Sequence, residues 1–371
     1  MVNLSINGRN ISVRDGATIL ESARENGINI PTLCFQKGLF ADSMCRICMV
    51  EVEGKNRLMP ACSTKVREGM VIQTESDKCV DSRKTTLDFI CQHHRMDCET
   101  CPRYSDCELH ALLVRYGMDD RVYMSTYHAP DKDLTSAAIV RDYSKCVKCR
   151  KCEGVCKAAG IGAVKITGMA DKTRVGFAVS AAADGCIDCG LCVSTCPVGA
   201  LSVKNENKAL RIALNKKRPV VAALFGQDAQ TAGKLVSLLH GMGFAAVVDG
   251  GRFAAQADAI CPLREHEGPL PETLFHSWAK EHYGEDCFTV WISACTALKR
   301  THACDDAMTE VELAEMIRHA AISRYTMRQM WQDAVEAPFD PSLEGESKAP
   351  EAFSDLCCPG GCASCGGRYR E

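Results

Sequence analysis

The sequence predicts an α+β protein of several consecutive small domains, closing on an α/β region. Three observations predict it. At 371 residues the chain is longer than one ordinary hydrophobic core requires. Its 25 cysteines are bunched into groups. Strand and helix patterns alternate only beyond residue 215. The expected domains are residues 1–78, 79–120, 138–208 and 215–371.

Residues 2–6 and 10–14 alternate apolar and polar around Asn7-Gly8, a hairpin pattern. Residues 17–26 read as a short helix stopped by Gly27. Hairpin, helix and a cysteine-bearing loop make a β-grasp pattern. Residues 80–95 read as a helix leading into a second cysteine group, and 119–140 as a polar linker. A compact cysteine-rich block fills 141–203. Residues 219–226 then read as a buried strand, 228–240 as a helix ended by Gly241 and Gly243, and 287–293 as a second strand. Thr309-x-x-Glu312 is a capping box before a helix at 311–322. Residues 338–351 read as a loop before a cysteine-rich tail.

Cysteine at this density reads as a disulfide scaffold, a zinc array or iron–sulfur clusters. Disulfide scaffolds belong to short secreted chains. The opening residues lack the apolar core of a signal peptide, and no run of about 18 apolar residues could span a bilayer. A cytoplasmic setting without membrane contact is expected, with thiols serving as ligands. The net charge of −3 gives no basic field for nucleic acid.

The strongest motif is Cys146-x2-Cys149-x2-Cys152-x3-Cys156 followed by Cys186-x2-Cys189-x2-Cys192-x3-Cys196-Pro197. Three close cysteines can hold three corners of a cubane, while the fourth ligates the other cluster. Cys146, Cys149, Cys152 and Cys196 are therefore expected on one [4Fe–4S] cluster, and Cys156, Cys186, Cys189 and Cys192 on a second. Zinc usually takes separated CxxC pairs rather than runs of four. Cys34, Cys45, Cys48 and Cys62 suit a [2Fe–2S] cluster, though not in the plant-type spacing. His94, Cys98, Cys101 and Cys107 could by spacing alone hold either zinc or a cluster. His93 is expected to be a bystander, and Cys79, Cys91, Cys287 and Cys304 to be structural thiols.

The order and spacing of these four sets resemble the electron-input half of [FeFe]-hydrogenases. The large iron–sulfur subunit of respiratory complex I is similar over the first two sets. The resemblance covers roughly residues 1–205 and implies a [4Fe–4S] cluster on the His94 set. It continues more weakly through three loops: Ala259-Ile260-Cys261-Pro262, Ser293-Ala294-Cys295-Thr296-Ala297-Leu298-Lys299, and Leu356-Cys357-Cys358-Pro359-Gly360-Gly361-Cys362-Ala363-Ser364-Cys365-Gly366-Gly367. These resemble the hydrogenase signatures TSCCPxW, MPCxxK and MACPxGCxxGGGQ. In that family the cysteines matching Cys261, Cys295, Cys358 and Cys362 hold a cubane, and the last bridges to a diiron centre. A fourth [4Fe–4S] cluster is therefore expected in a truncated hydrogenase-like C-terminal domain. Cys357 and Cys365 are substitute ligands.

The departures fall on the hydrogen chemistry. Ile260 stands where the family has its proton-carrying cysteine, and it cannot titrate. Leu298 stands where the family has a cyanide-binding lysine, with Lys299 next to it. Only 62 residues separate Cys295 from Cys358, so much of the enclosing cavity is missing. No diiron centre is expected. No G-x-G-x-x-G follows a strand, so a hydride would be split by a flavin elsewhere. The resemblance implies a flavin- and NAD(P)-binding iron–sulfur subunit and a small [2Fe–2S] subunit as partners, and possible exchange with ferredoxin. The expected function is single-electron relay in an NAD(P)-linked complex, with an electron-bifurcating transhydrogenase the best match. An active [FeFe]-hydrogenase and a redox sensor are the alternatives.

Overall fold

The fold is given by a computed structural model. It describes residues 1–39, 43–101, 103–119, 121, 123, 132–169, 172–205, 207–260, 270–293, 295–300, 303–309, 312–314 and 316–317. The chain divides into two compact units. The first holds Met1–Thr135, Val140–Cys186 and Thr195–Ser202; the second holds Ser136–Ile139, Ile187–Ser194 and Val203–Glu371.

The first unit begins with strands β1 (Val2–Ile6) and β2 (Arg9–Val13), antiparallel with Val2 opposite Val13. Asn7 and Gly8 both take positive φ, as a two-residue hairpin turn demands. In β1 every second side chain, Val2, Leu4 and Ile6, points into the core. Helix α1 (Ile19–Glu25) starts on a complete capping box. Thr18 Oγ1 accepts from Glu21 N at 3.2 Å, and Thr18 N donates to Glu21 Oε2 at 2.9 Å. Strands β3 (Met49–Val52), β4 (Met59–Pro60) and β5 (Val71–Gln73) complete a mixed sheet in the order β2-β1-β5-β3-β4, with β5 parallel to β1. These three short strands are not expected from sequence, because two to four residues are too few to display a period.

Helix α2 (Asp77–His93) starts three residues earlier than the expected 80. Its buried face presents Cys79, Arg83, Leu87 and Cys91. Helix α3 (Glu108–Arg115) follows the second cysteine group. The expected linker does not reach residue 140. Asp133 pairs with Arg141 across an isolated bridge, and strand β6 (Ile139–Arg141) already belongs to the cysteine-rich block. That block contains helix α4 (Lys151–Ala158), the hairpin β7 (Lys165–Thr167) and β8 (Arg174–Gly176), helix α5 (Leu191–Ser194) and strand β9 (Leu201–Val203).

In the second unit, helix α6 (Lys208–Asn215) precedes a four-stranded parallel sheet. Its strands are β10 (Val220–Phe225), β11 (Ala246–Asp249), β12 (Phe288–Ser293) and β13 (Asp306–Thr309) in the order β11-β10-β12-β13. Strands β10 and β12 are buried along their whole length. That is the signature of a parallel sheet covered on both faces, and it explains the continuous apolar run at 219–226. Helices α7 (Ala229–Gly241), α8 (Gly250–Ile260) and α9 (Pro271–Tyr283) connect the strands. Gly250 lets α8 start against the sheet. A Cβ there would lie 2.9 Å from Leu224 O and 3.0 Å from Phe225 Cβ. The Thr309–Glu312 capping box is present, with Thr309 N donating to Glu312 Oε2 at 2.9 Å. Of the helix expected at 311–322, residues 312–314 and 316–317 are described, and they are helical.

Candidate metal centres

The N-terminal set converges. Cys34, Cys48 and Cys62 are buried and Cys45 is half-buried. Cys45 N points at Cys34 Sγ at 3.5 Å, and Ser43 Oγ lies 3.3 Å from Cys62 Sγ. A hydrogen bond from Cys34 pulls the Cys45 thiol down to about 7, and one from Cys48 pulls Cys62 down to about 6. Their donors are pushed up by the same bonds and by burial. Two ready thiolates among four close sulfurs fit a [2Fe–2S] cluster, whose ligands must be deprotonated. Arg83 braces this loop from behind. Fully buried on α2, it donates to the carbonyls of Ile47 (3.0 Å) and Met49 (2.9 Å) on either side of Cys48.

The second set gathers at helix ends. His94 caps the C-terminus of α2 and is 6% exposed. Its Nδ1 lies 2.9 Å from Lys145 O, so an Nδ1–H donor there leaves Nε2 as the free lone pair for a metal. Burial lowers the pKa of this imidazole, which favours the neutral, ligating form. Cys98 and Cys101 bracket a turn of 3₁₀ helix, and Cys107 caps α3 with its Sγ accepting from His110 N at 3.5 Å. Burial and the charges of Cys107 and Cys101 all disfavour the thiolate at Cys98, which puts the three sulfurs within electrostatic reach of one another. Cys91 is buried one turn before His94, and burial pushes its thiol up to about 12.

The third set lies in the first unit. Cys146, Cys149, Cys152 and Cys196 line one small cavity, whose other walls include Val147, Val175, Val198 and Leu201. Backbone N–H groups of Lys148 and Lys151 point at Cys146 and Cys149, favouring their thiolates, while the stronger effect of burial pushes both thiols up. Burial likewise pushes Cys196 up to about 11. Four cysteines lining one hollow, with Arg141 and Arg150 beside the aliphatic side chains, fit a cubane, and metal binding there would release their protons.

The structure divides the fourth set. Cys156 and Cys186 fall in the first unit, and Cys189 and Cys192 in the second. Of the four C-terminal candidates, Cys295 alone is described; Cys261, Cys358 and Cys362, with Cys357 and Cys365, lie outside the described residues. Cys295 is 5% exposed and follows β12 directly. The order of the sheet reverses between β10 and β12, and open parallel sheets bind ligands at the carboxyl ends of strands at such a point. Within the second unit, Thr296 Oγ1 donates to Asp188 O at 2.6 Å. A Cβ on Gly190 would lie 2.8 Å from that hydroxyl. The loop after Cys295 thus packs directly on the turn holding Cys189. Lys299 is buried and donates to Glu312 Oε1 at 2.8 Å, which commits its ammonium to an ion pair. Among the described residues no three or more His, Cys, Asp or Glu groups form the array of a single metal ion.

Three family models match in chain order. They are a 2Fe-2S iron–sulfur cluster binding domain over residues 1–77, the NADH-ubiquinone oxidoreductase-G iron–sulfur binding region over 83–121, and a 4Fe-4S dicluster domain over 145–200. The chain belongs to the family of complex I large iron–sulfur subunits and hydrogenase-like iron–sulfur subunits. The matched regions are those of one [2Fe–2S] domain and several [4Fe–4S] sites. The chain is 35% identical over 277 residues to the NADP-reducing hydrogenase subunit HndD of Solidesulfovibrio fructosivorans, covering 67% of this chain and 46% of that one. It is 32% identical over 205 residues to the alpha subunit of NADPH-Fe(3+) oxidoreductase of Geobacter sulfurreducens, covering 55% of this chain and 24% of that one. It is 29% identical over 206 residues to the 75 kDa subunit of NADH-ubiquinone oxidoreductase of Reclinomonas americana, covering 55% of this chain and 30% of that one. The chain thus spans less than half the length of these relatives. No described helix is long and apolar enough to cross a membrane.

Proposed function

We propose that the chain is the electron-relay subunit of an NAD(P)H-linked oxidoreductase complex. Electrons enter from a flavin-bearing partner and pass singly along the ligand sets. The observation that carries this reading is the closeness of the second and third sets, both in the first unit. A Cβ on Gly199, three residues after Cys196, would lie 2.5 Å from Cys101 Sγ. Arg103 Nη2 donates to Cys196 O at 3.0 Å, and Glu108 N to Pro197 O at 2.9 Å. Lys145 joins the same junction: its carbonyl holds His94, and its ammonium pairs with Asp97 at 2.7 Å. Electron tunnelling falls steeply with distance, and side chains that cinch two ligand sets together serve that requirement.

In this reading Cys34, Cys45, Cys48 and Cys62 hold a [2Fe–2S] cluster. His94, Cys98, Cys101 and Cys107 hold a [4Fe–4S] cluster, as do the two ferredoxin-type sets. Cys295 at the switch point, together with Cys261, Cys358 and Cys362, holds a fourth [4Fe–4S] cluster. Bound clusters supply one-electron redox chemistry, and the chain supplies their spacing and surroundings. The buried Lys299–Glu312 pair supports a relay without hydrogen turnover. The lysine nearest to the hydrogenase position already has its partner, and Leu298 offers no charge in its place. Among NAD(P)-linked complexes, this reading favours a transhydrogenase exchanging electrons with ferredoxin, with the flavin chemistry in a partner.

The test is purification of the native complex under anaerobic conditions, with iron analysis and rapid-mixing reduction by NADH or NADPH. A co-purifying flavoprotein and about 18 iron atoms per chain are expected, against about 14 without the C-terminal cluster. A fully loaded chain that no flavoprotein accompanies, and that NADH and NADPH fail to reduce rapidly in the native preparation, would end this reading.

A further inference from the structure

The ferredoxin-type block contains a buried cation that none of the ligand assignments uses. Arg141, the last residue of β6, is 2% exposed. Its Nη1 donates to Val175 O at 2.9 Å and to Cys152 Sγ at 3.8 Å. The same side chain lines the cavity faced by Cys146, Cys149, Cys152 and Cys196.

Its slot is shaped for it. Gly176 leaves room for the stem, because a Cβ there would lie 3.2 Å from Arg141 Cδ and 2.5 Å from the Tyr143 hydroxyl. The ring of Phe177 lies 5.7 Å from the guanidinium carbon, in the range of a cation–π contact. Three consecutive residues, Val175, Gly176 and Phe177, thus supply a carbonyl, a gap and an aromatic face to one guanidinium. Burying an arginine is costly unless its donors are engaged. Here a donor is aimed at sulfur.

We propose that Arg141 sets the reduction potential of the centre held by Cys146, Cys149, Cys152 and Cys196, raising it above the value the same four thiolates would give alone. The inference rests on the reading of that set as a [4Fe–4S] site. Reduction adds one negative charge to an already anionic centre. A cation and an N–H···S bond both favour the more negative state, and burial strengthens both by excluding water. Arg141 acts on the centre through its ligand sulfur and its field. It is a positioning residue rather than a catalytic one. Electrons that reach the block would settle at this centre before moving on.

Redox titration followed by EPR on the iron-counted full chain tests this with Arg141→Met, Arg141→Lys and Gly176→Ala. Arg141→Met is expected to shift one [4Fe–4S] midpoint downward and leave the [2Fe–2S] midpoint in place. Arg141→Lys keeps the charge and is expected to hold the midpoint near that of the wild type. Gly176→Ala displaces the stem and is expected to shift the same signal downward by less. Full iron with every midpoint unchanged in Arg141→Met would overturn the proposal, as would a lysine variant that falls as far as the methionine variant. If Arg141→Met fails to load iron, Gly176→Ala decides: a downward shift supports the proposal and an unchanged midpoint sinks it. A wild-type chain whose iron is too low to fill the block would instead defeat the cluster assignment.

Discussion

The two ferredoxin-type loops repeat one backbone and oppose each other in charge. In the first loop, Lys148 and Arg150 take φ of 53° and 66°; at the matching places in the second, Asp188 and Gly190 take 56° and 76°. Both loops therefore make the same left-handed turns, and in the first the N–H groups of Lys148 and Lys151 point at sulfur. The side chains differ. The first loop carries Lys148, Arg150 and Lys151, with Arg141 behind it. The second carries Asp188, Gly190 and Leu191. Asp188 is buried, and its Oδ1 accepts from the Ser136 hydroxyl and from Ala138 N. Backbone geometry thus makes two similar holders, and charge makes them unequal. The centre at the first loop is expected to be easier to reduce than the centre at the second.

The largest effect should come from crossing the two motifs. Cys196 belongs by sequence to the second motif, yet it lines the cavity of the first with Cys146, Cys149 and Cys152. Cys196→Ala should therefore erase the first-loop centre and leave the second. Iron should fall by about four atoms per chain, with one cubane EPR signal lost. Loss of the lower-potential signal instead of the higher one would show that the ligands are not exchanged between motifs, or that the charge comparison is inverted.

A smaller effect should follow from trading charges without touching ligands. Lys148→Asp copies the second loop into the first and should lower the first midpoint. Asp188→Asn removes the buried carboxylate while keeping an oxygen to accept from Ser136 and Ala138, and should raise the second midpoint. The Asp188 shift should be the larger, because Lys148 is half-buried and water screens it more. EPR-monitored titration of the two single variants and the double variant checks this. Midpoints that move together, or move apart in the wild-type direction, would remove charge as the source of the asymmetry.

Much of this is legible in the sequence, for identifiable reasons. Ligand spacing is a local property, so the cysteine runs and the hairpin at Asn7-Gly8 can be read directly. The strand at 219–226 can be read because a twice-covered parallel strand has no polar side. Helix α9 is absent from the sequence reading although Pro271 sits at its first position, a start signal that was available. Strand β13 and the sheet order are not legible, since parallel pairing joins residues far apart in sequence. Arg83 and Arg141 are not legible either. Nothing in sequence separates a buried arginine from an exposed one until Ile47, Met49, Val175 and Gly176 are placed around it. The switch-point position of Cys295 likewise needs the strand order.

The smallest effect concerns the turns themselves. Gly190 has a positive φ of 76°, and a Cβ there would lie 2.8 Å from Thr296 Oγ1. Gly190→Ala therefore pairs backbone strain with displacement of the Thr296 hydroxyl from Asp188 O, and should cost about 1–3 kcal/mol in thermal unfolding. At the matching place Arg150 already bears the left-handed conformation, and its Nε bonds Glu153 at 2.8 Å. Arg150→Gly relieves strain but frees the unfolded chain and removes a half-buried local ion pair, so the net change should stay within about 1 kcal/mol. A Thr296→Ala background, which removes both the hydroxyl and the methyl that a Cβ on Gly190 would meet, tests the source of the Gly190 effect. If crowding of the hydroxyl is responsible, the hydrogen bond is already lost there, and Gly190→Ala should cost less than it does in the wild type. An undiminished cost would assign the whole effect to the backbone and leave the contact between the Cys189 and Cys295 loops without energetic weight.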